Sequence, residues 1–144
     1  MPTAQSKADV VWEGNLLEGN GTVTPESGAF GTLPVTWATR IQRAQGKTSP
    51  EELIASAHAS CYAMNLSGTL ARAGHNPTRL DISAVVTFVT GTGITTSELT
   101  VRGQVPGLTQ EEFVRLADEG EKGCPVSNAL RNNVKITVKA TLES

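Results

Sequence analysis

Between Leu53 and Ala71 the sequence carries no charged residue, and small residues crowd the same stretch: Ala55, Ser56, Ala57, Ala59, Ser60, Ala63, Ser67 and Gly68. Its start reads as a helix. Ser49 can cap, Pro50 suits the first helical position, and Glu52 completes a Ser-x-x-Glu capping box. Glu51 and Glu52 also stand where the helix dipole favours negative charge. The pattern predicts a helix from Pro50 to Ala73, with Gly74 as its C-terminal stop. The small residues let another backbone approach closely, and the missing charge leaves no broad face for solvent. The rest of the chain is therefore expected to pack around a long, central helix. That helix contains Cys61, one of two cysteines.

The flanking segments are mostly strands. Residues 7–17, with Val10, Val11, Trp12, Leu16 and Leu17, predict a first strand. Gly19-Asn20-Gly21 reads as a hairpin turn, because Asn and Gly tolerate positive φ. Thr22-Val23-Thr24 would return. Leu33 to Arg40 predicts a third strand, with Pro34 at an edge or in a loop. Beyond Gly74, alternation over Asp81–Thr90 and Ile94–Val105 predicts a hairpin. Thr109 and Glu112 form a second capping box, opening a helix over Gln110–Lys122 that Gly123 stops. Cys124 follows in a tight connection, Pro125 can begin a short helix to Leu130, and Val134–Leu142 alternates as a last strand. Strands in hairpin runs argue for an α+β fold with antiparallel pairing. No repeat, linker or low-complexity tract divides residues 1–144, which are expected to form one domain.

The chain has 144 residues and a net charge of −2. Neither nucleic acid nor an anionic membrane is expected as a partner. Met1–Lys7 holds no apolar run for a signal peptide, and no stretch reaches membrane-span length, so the cytoplasm is the expected compartment. Two cysteines in a reducing compartment are not expected to be a structural staple.

A cysteine attacks as its thiolate, and an unperturbed thiol titrates near about 8.5. Roughly 3% is ionised at pH 7. Bringing the pKa to about 5.5 takes roughly 4 kcal/mol of differential stabilisation. Cys61 is about three turns into the helix, beyond the reach of the N-terminal dipole, and burial alone pushes a thiol upward. A reactive Cys61 thus needs a cation from elsewhere in the fold or assembly. Arg40 and Arg43 are the candidates, since a guanidinium stays charged and can hydrogen-bond an oxygen substrate. Glu51 or Glu52 could orient it. Glu51, however, is about 15 Å from Cys61 along a straight helix axis. Two such helices packed antiparallel in a dimer would bring one chain's Glu51 to the other's Cys61. A sulfenic acid on Cys61 would need a neighbouring thiol to trap it, and Cys124 is the other cysteine.

The segments Pro50-Glu51-Glu52-Leu53, Ala57-His58-Ala59-Ser60-Cys61 and Gly123-Cys124-Pro125-Val126-Ser127 resemble the OsmC/Ohr family, the osmotically inducible and organic hydroperoxide resistance proteins. Trp12-Glu13-Gly14, Gly21-Thr22-Val23 and Glu26-Ser27-Gly28 resemble its OsmC branch, and the likeness spans about residues 10–142. The resemblance implies antiparallel sheets around a long central helix in an intertwined homodimer, with sites at the subunit interface. It implies a thiol peroxidase that reduces organic hydroperoxides, and hydrogen peroxide more weakly, without a metal or other cofactor. An external dithiol, such as a lipoyl protein, would regenerate it. By position Cys61 matches the peroxidatic cysteine, Cys124 the resolving one, Glu51 the carboxylate that holds the arginine, and Arg40 the arginine itself. Tyr62 stands where the family often has Phe.

Blander readings exist for each residue. A mid-helix cysteine is commonly a buried apolar group, and a first-turn glutamate commonly serves the dipole. Glu52 reads as the capping-box acid and Arg43 as a solvated loop charge. His58 and Cys61 could share a helix face and, with His75 and Cys124, hold a metal, but a lone helical histidine is more often a packed or capping group. A second class of function is a non-enzymatic dimer binding a small hydrophobic molecule; the paired cysteine motifs argue against it.

Overall fold

The computed structural model describes residues 2–43 and 45–144. They fall into two compact units, one up to Pro50 and the other from Glu51. In the first unit, β1 (Ala8–Glu13), β2 (Asn20–Pro25) and β3 (Leu33–Val35) form an antiparallel sheet in that order. The β1–β2 turn is not at Gly19-Asn20-Gly21, as the sequence suggested. Glu13 pairs with Asn20 and Trp12 with Gly21, so Asn20 and Gly21 belong to the strand. The chain reverses between Gly14, at φ 93°, and Gly19. Asn15 closes this turn by accepting from the Glu18 N–H through its side chain at 2.8 Å and from the Gly19 N–H through its carbonyl at 2.9 Å. Gly21 is glycine for a different reason. A Cβ there would lie 2.7 Å from the Trp12 ring.

The third strand is also shorter than expected. β3 ends at Val35, and Arg40 lies in a short helix, α1 (Ala38–Ile41). Thr36 breaks the ladder. Its carbonyl accepts from the Thr39 hydroxyl at 2.7 Å and its hydroxyl from the Thr39 N–H at 3.3 Å, a local bonding scheme that competes with strand pairing.

The second unit holds the long helix, α2 (Pro50–Arg72), one residue shorter than predicted. Gly74 takes φ 87°, and the His75 N–H reaches back to the Leu70 carbonyl at 2.9 Å, which satisfies a helix-end acceptor. β4 (Arg79–Val89) and β5 (Gly93–Gln104) form the expected hairpin. α3 (Gln110–Lys122) has both halves of its capping box: the Glu112 N–H donates to the Thr109 hydroxyl at 3.2 Å, and the Thr109 N–H to the Glu112 carboxylate at 3.0 Å. α4 (Pro125–Leu130) follows, then β6 (Lys135–Leu142). β6 pairs with β5 in parallel, giving the order β4-β5-β6, so antiparallel pairing does not extend to this strand. The α3–α4 crossover carries the chain back along the sheet, as parallel neighbours require.

The core of this unit collects Tyr62, Leu66 and Leu70 from α2, Leu99 and Val101 from β5, and Phe113, Leu116 and Ala117 from α3. On α2, His58, Tyr62, Leu66 and Leu70 recur at four-residue spacing and are buried. On the opposite side Glu52, Ser56, Ser60 and Met64 are exposed in the single chain, Met64 by 74%. This open face departs from the expectation, set by the missing charge, that no broad face of the helix meets solvent. No described helix is long and apolar enough to cross a membrane.

Candidate active site

The two thiols meet where α2, α3 and α4 converge. α3 can approach α2 closely because it presents glycines. A Cβ on Gly120 would lie 3.2 Å from the Leu66 Cα, and one on Gly123 would lie 2.8 Å from the Asn65 amide nitrogen. That amide donates to the Gly120 carbonyl at 2.6 Å, and the Tyr62 hydroxyl donates to the Ala117 carbonyl at 2.9 Å. These contacts sit within one or two turns of Cys61 and hold the end of α3 beside it. Cys124 comes next in the chain as the N-cap residue of α4, fully buried, its N–H donating to the Glu121 carbonyl at 3.1 Å.

Cys61 is half-buried and its thiol faces two groups from this connection, the Val126 N–H and the Cys124 thiol. Val126 lies in the first turn of α4, where backbone N–H groups have no helical partner and are free to donate. Burial pushes the Cys61 thiol above its ordinary pKa; the Val126 N–H pulls it down, and the neighbouring Cys124 thiol pushes it up again. The net direction is upward, as expected from burial of a thiol with no cation beside it among the described residues of the chain.

His58, one turn before Cys61, has no exposed surface. Its Nδ1 is 2.6 Å from the Ser97 hydroxyl on β5, and its Nε2 is 2.7 Å from the Ser127 hydroxyl on α4. Burial lowers its pKa, opposed by Glu121 and aided by Arg131, so the ring is held neutral. Both ring nitrogens are engaged, which leaves neither for a metal. Among the described residues no group of three or more His, Cys, Asp or Glu side chains is arranged to hold one. α4 is also fastened at its far end. Arg131 donates to both carboxylate oxygens of the buried Glu121, at 3.0 and 2.9 Å, and to Asn128 Oδ1 at 3.0 Å. The bonds to Glu121 raise the Arg131 pKa.

Of the four residues selected from sequence, Cys61 and Cys124 are brought together. Glu51 is in the first turn of α2 and 6% exposed. Because α2 is unbroken, Glu51 and Cys61 of one chain stand about 15 Å apart along its axis. Arg40 is half-buried on α1 in the first unit, its guanidinium 5.6 Å from the centre of the Trp37 ring, a cation–π distance. Arg43 is exposed beyond α1. Sequence reasoning missed the Val126 N–H and the Arg131–Glu121 pair. Pro125 at the first helical position pointed to a free N–H just beyond it. The serine partners of His58 lie 39 and 69 positions away and left no local signal.

The profile of the OsmC-like protein family matches residues 43–139. Over 145 aligned residues the chain is 38% identical to the peroxiredoxin OsmC of Escherichia coli strain K12, covering 99% of each. It is 28% identical over 97 residues to an organic hydroperoxide resistance protein of Xanthomonas axonopodis pv. citri, covering 63% of this chain and 65% of that one. The fold matches the crystal structure of the organic hydroperoxide resistance protein OhrB of Bacillus subtilis with a TM-score of 0.72 at 22% identity, over 94% of this chain and 98% of that one. The chain belongs to the OsmC-like protein family.

Proposed function

We propose that this protein is a cysteine-based peroxidase that reduces organic hydroperoxides, and hydrogen peroxide more weakly. The observation that carries the reading is the placement of the Cys61 thiol on the Cys124 thiol. The names of the relatives, a peroxiredoxin and a hydroperoxide resistance protein, support the substrate class.

In this cycle the Cys61 thiolate attacks the terminal peroxide oxygen. The O–O bond breaks, the alcohol leaves after taking up a proton, and Cys61 becomes a sulfenic acid. Cys124 then displaces that oxygen as water and forms the Cys61–Cys124 disulfide. An external dithiol, such as a lipoyl protein, reduces the disulfide to two thiols. Burial raises the Cys61 thiol within the chain, so the first step needs a cation to favour the thiolate. Arg40 is assigned that role from the family resemblance, where it would also stabilise the departing alkoxide oxygen. Glu51 is assigned to orient it.

The functional unit is proposed to be a homodimer in the cytoplasm. The open row Ser56, Ser60 and Met64 on α2 supports a partner, as does β1, exposed along its whole length with Val10 at 62% and Val11 at 61%. The distance from Glu51 to its own Cys61 supports a site shared between subunits. Dithiol-supported consumption of an alkyl hydroperoxide tests the reading. Wild type is expected to turn over, Cys61→Ser to be inactive, and Cys124→Ser to stop recycling through an internal disulfide. Full turnover by Cys61→Ser would overturn it. Confirmed heterodimers of Cys61→Ser with Glu51→Ala should regain activity at one site, and no regain would refute sharing.

A further inference from the structure

His58 links the two halves of the thiol pair. It precedes Cys61 by one turn on α2, and it reaches β5 through Ser97 and α4 through Ser127. Ser127 follows Val126, whose N–H faces the Cys61 thiol, and is one turn after Cys124. All three side chains in this chain of bonds, Ser97, His58 and Ser127, are fully buried. A neutral imidazole has one N–H and one acceptor nitrogen, so one serine donates to the ring and the other accepts from it, in either tautomer. Turning the ring breaks both bonds, which fixes its orientation. An apolar side chain would fill the same volume without the desolvation cost of three polar groups, but packing alone is non-directional. What the polar chain adds is a directional restraint between the helix bearing Cys61 and the turn bearing Cys124.

We propose that His58 is a positioning residue for disulfide closure, holding the first turn of α4 through Ser127 so that the Cys124 thiol stays against Cys61. The proposal rests on the peroxidase reading for its substrate step. In that step the Cys124 sulfur attacks the Cys61 sulfenic sulfur; the S–S bond forms as the S–O bond breaks, and the departing hydroxide takes the Cys124 thiol proton and leaves as water. The hydroperoxide is the oxidant that made the sulfenic acid. If α4 drifts, the sulfenic acid lives longer and is open to external trapping.

The test is a partition experiment. Each variant receives one equivalent of an alkyl hydroperoxide in the presence of dimedone, and mass spectrometry counts Cys61–Cys124 disulfide against the Cys61 dimedone adduct. Ser127→Ala should shift the ratio toward the adduct by about fivefold, the worth of one ordinary hydrogen bond. Ser97→Ala breaks an equivalent bond on the opposite nitrogen and should leave the ratio near wild type, although both variants lower the melting temperature. A purely structural histidine would make the two serine variants alike, and that result overturns the proposal. The side-chain amide of His58→Gln reaches toward Ser127 and that of His58→Asn toward Ser97, so the glutamine should keep closure nearer wild type. Equal closure in the two, or better closure in the asparagine, refutes it independently. Should the hydroperoxide leave both wild-type thiols intact, the peroxidase reading fails on its own. The positioning claim is then read with diamide, which takes both protons and both electrons from the thiol pair directly. Ser127→Ala must still slow closure about fivefold while Ser97→Ala does not.

Discussion

The buried, neutral His58 makes stability depend on pH in a defined direction. In the folded chain burial lowers its pKa, while in the unfolded chain the imidazole titrates near about 6.5. Below that value the unfolded chain binds a proton that the folded chain refuses. Stability is therefore full above about pH 6.5 and falls as the pH drops, until the lowered folded-state pKa is reached. One proton changes the unfolding free energy by about 1.4 kcal/mol per pH unit, so at pH 5.5 the loss from His58 is at most about 1.4 kcal/mol. The charged groups that act on the ring, Glu121 and Arg131, oppose each other, which leaves desolvation in control. His58→Gln keeps a bond to Ser127 within reach but cannot take up a proton. Urea unfolding of wild type and His58→Gln at pH 7.5 and pH 5.5 isolates the effect, because all other titrating groups are shared. Wild type should lose up to about 1.4 kcal/mol more than the variant between the two conditions. Parallel losses, or a larger loss in the variant, would refute the assignment of a neutral buried imidazole.

Two further predictions concern the core that supports the thiols. Gly103→Ala places a Cβ 2.6 Å from the Phe113 ring, which is buried and cannot move aside, so urea denaturation should show a loss of about 1–3 kcal/mol; an unchanged midpoint would contradict that packing. Tyr62 is the chain's one tyrosine, and burial pushes its hydroxyl above the ordinary range. Tyrosinate absorbance should stay flat through about pH 10 and rise together with the loss of circular dichroism; ionisation near 10 in a folded chain would place the hydroxyl in solvent instead.

Elements with their own local signals were legible in the sequence. α3 carries its start in Thr109 and Glu112 and its stop beside Gly123, and its bounds match the reading. The β4–β5 hairpin follows from alternation across a glycine-containing turn. What the sequence could not decide depended on partners far along the chain. Gly19-Asn20-Gly21 has the residues of a turn, but Asn20 and Gly21 pair with Glu13 and Trp12 and the chain reverses earlier, between Gly14 and Gly19. β6 alternates cleanly, yet alternation says nothing about which strand it joins or in which direction, and it lies parallel to β5. α2 was recognisable from its cap, but its two faces are set apart by neighbours rather than by charge. Tyr62 is buried against α3, where its hydroxyl donates to the Ala117 carbonyl, while Met64 on the other side is exposed. The same holds for the site. Two cysteines and their motifs were visible in the sequence, whereas the bonds that tie α2 to the segment around Cys124 run to Ser127 and Gly120, far along the chain.

The proposed function stands on Cys61 and Cys124 acting as one redox pair. Thiol titration after a single equivalent of an alkyl hydroperoxide measures it directly. Both thiols should disappear together, a dithiol should restore both, and Cys61→Ser should keep its remaining thiol. Two thiols still titratable in the wild-type protein would contradict it.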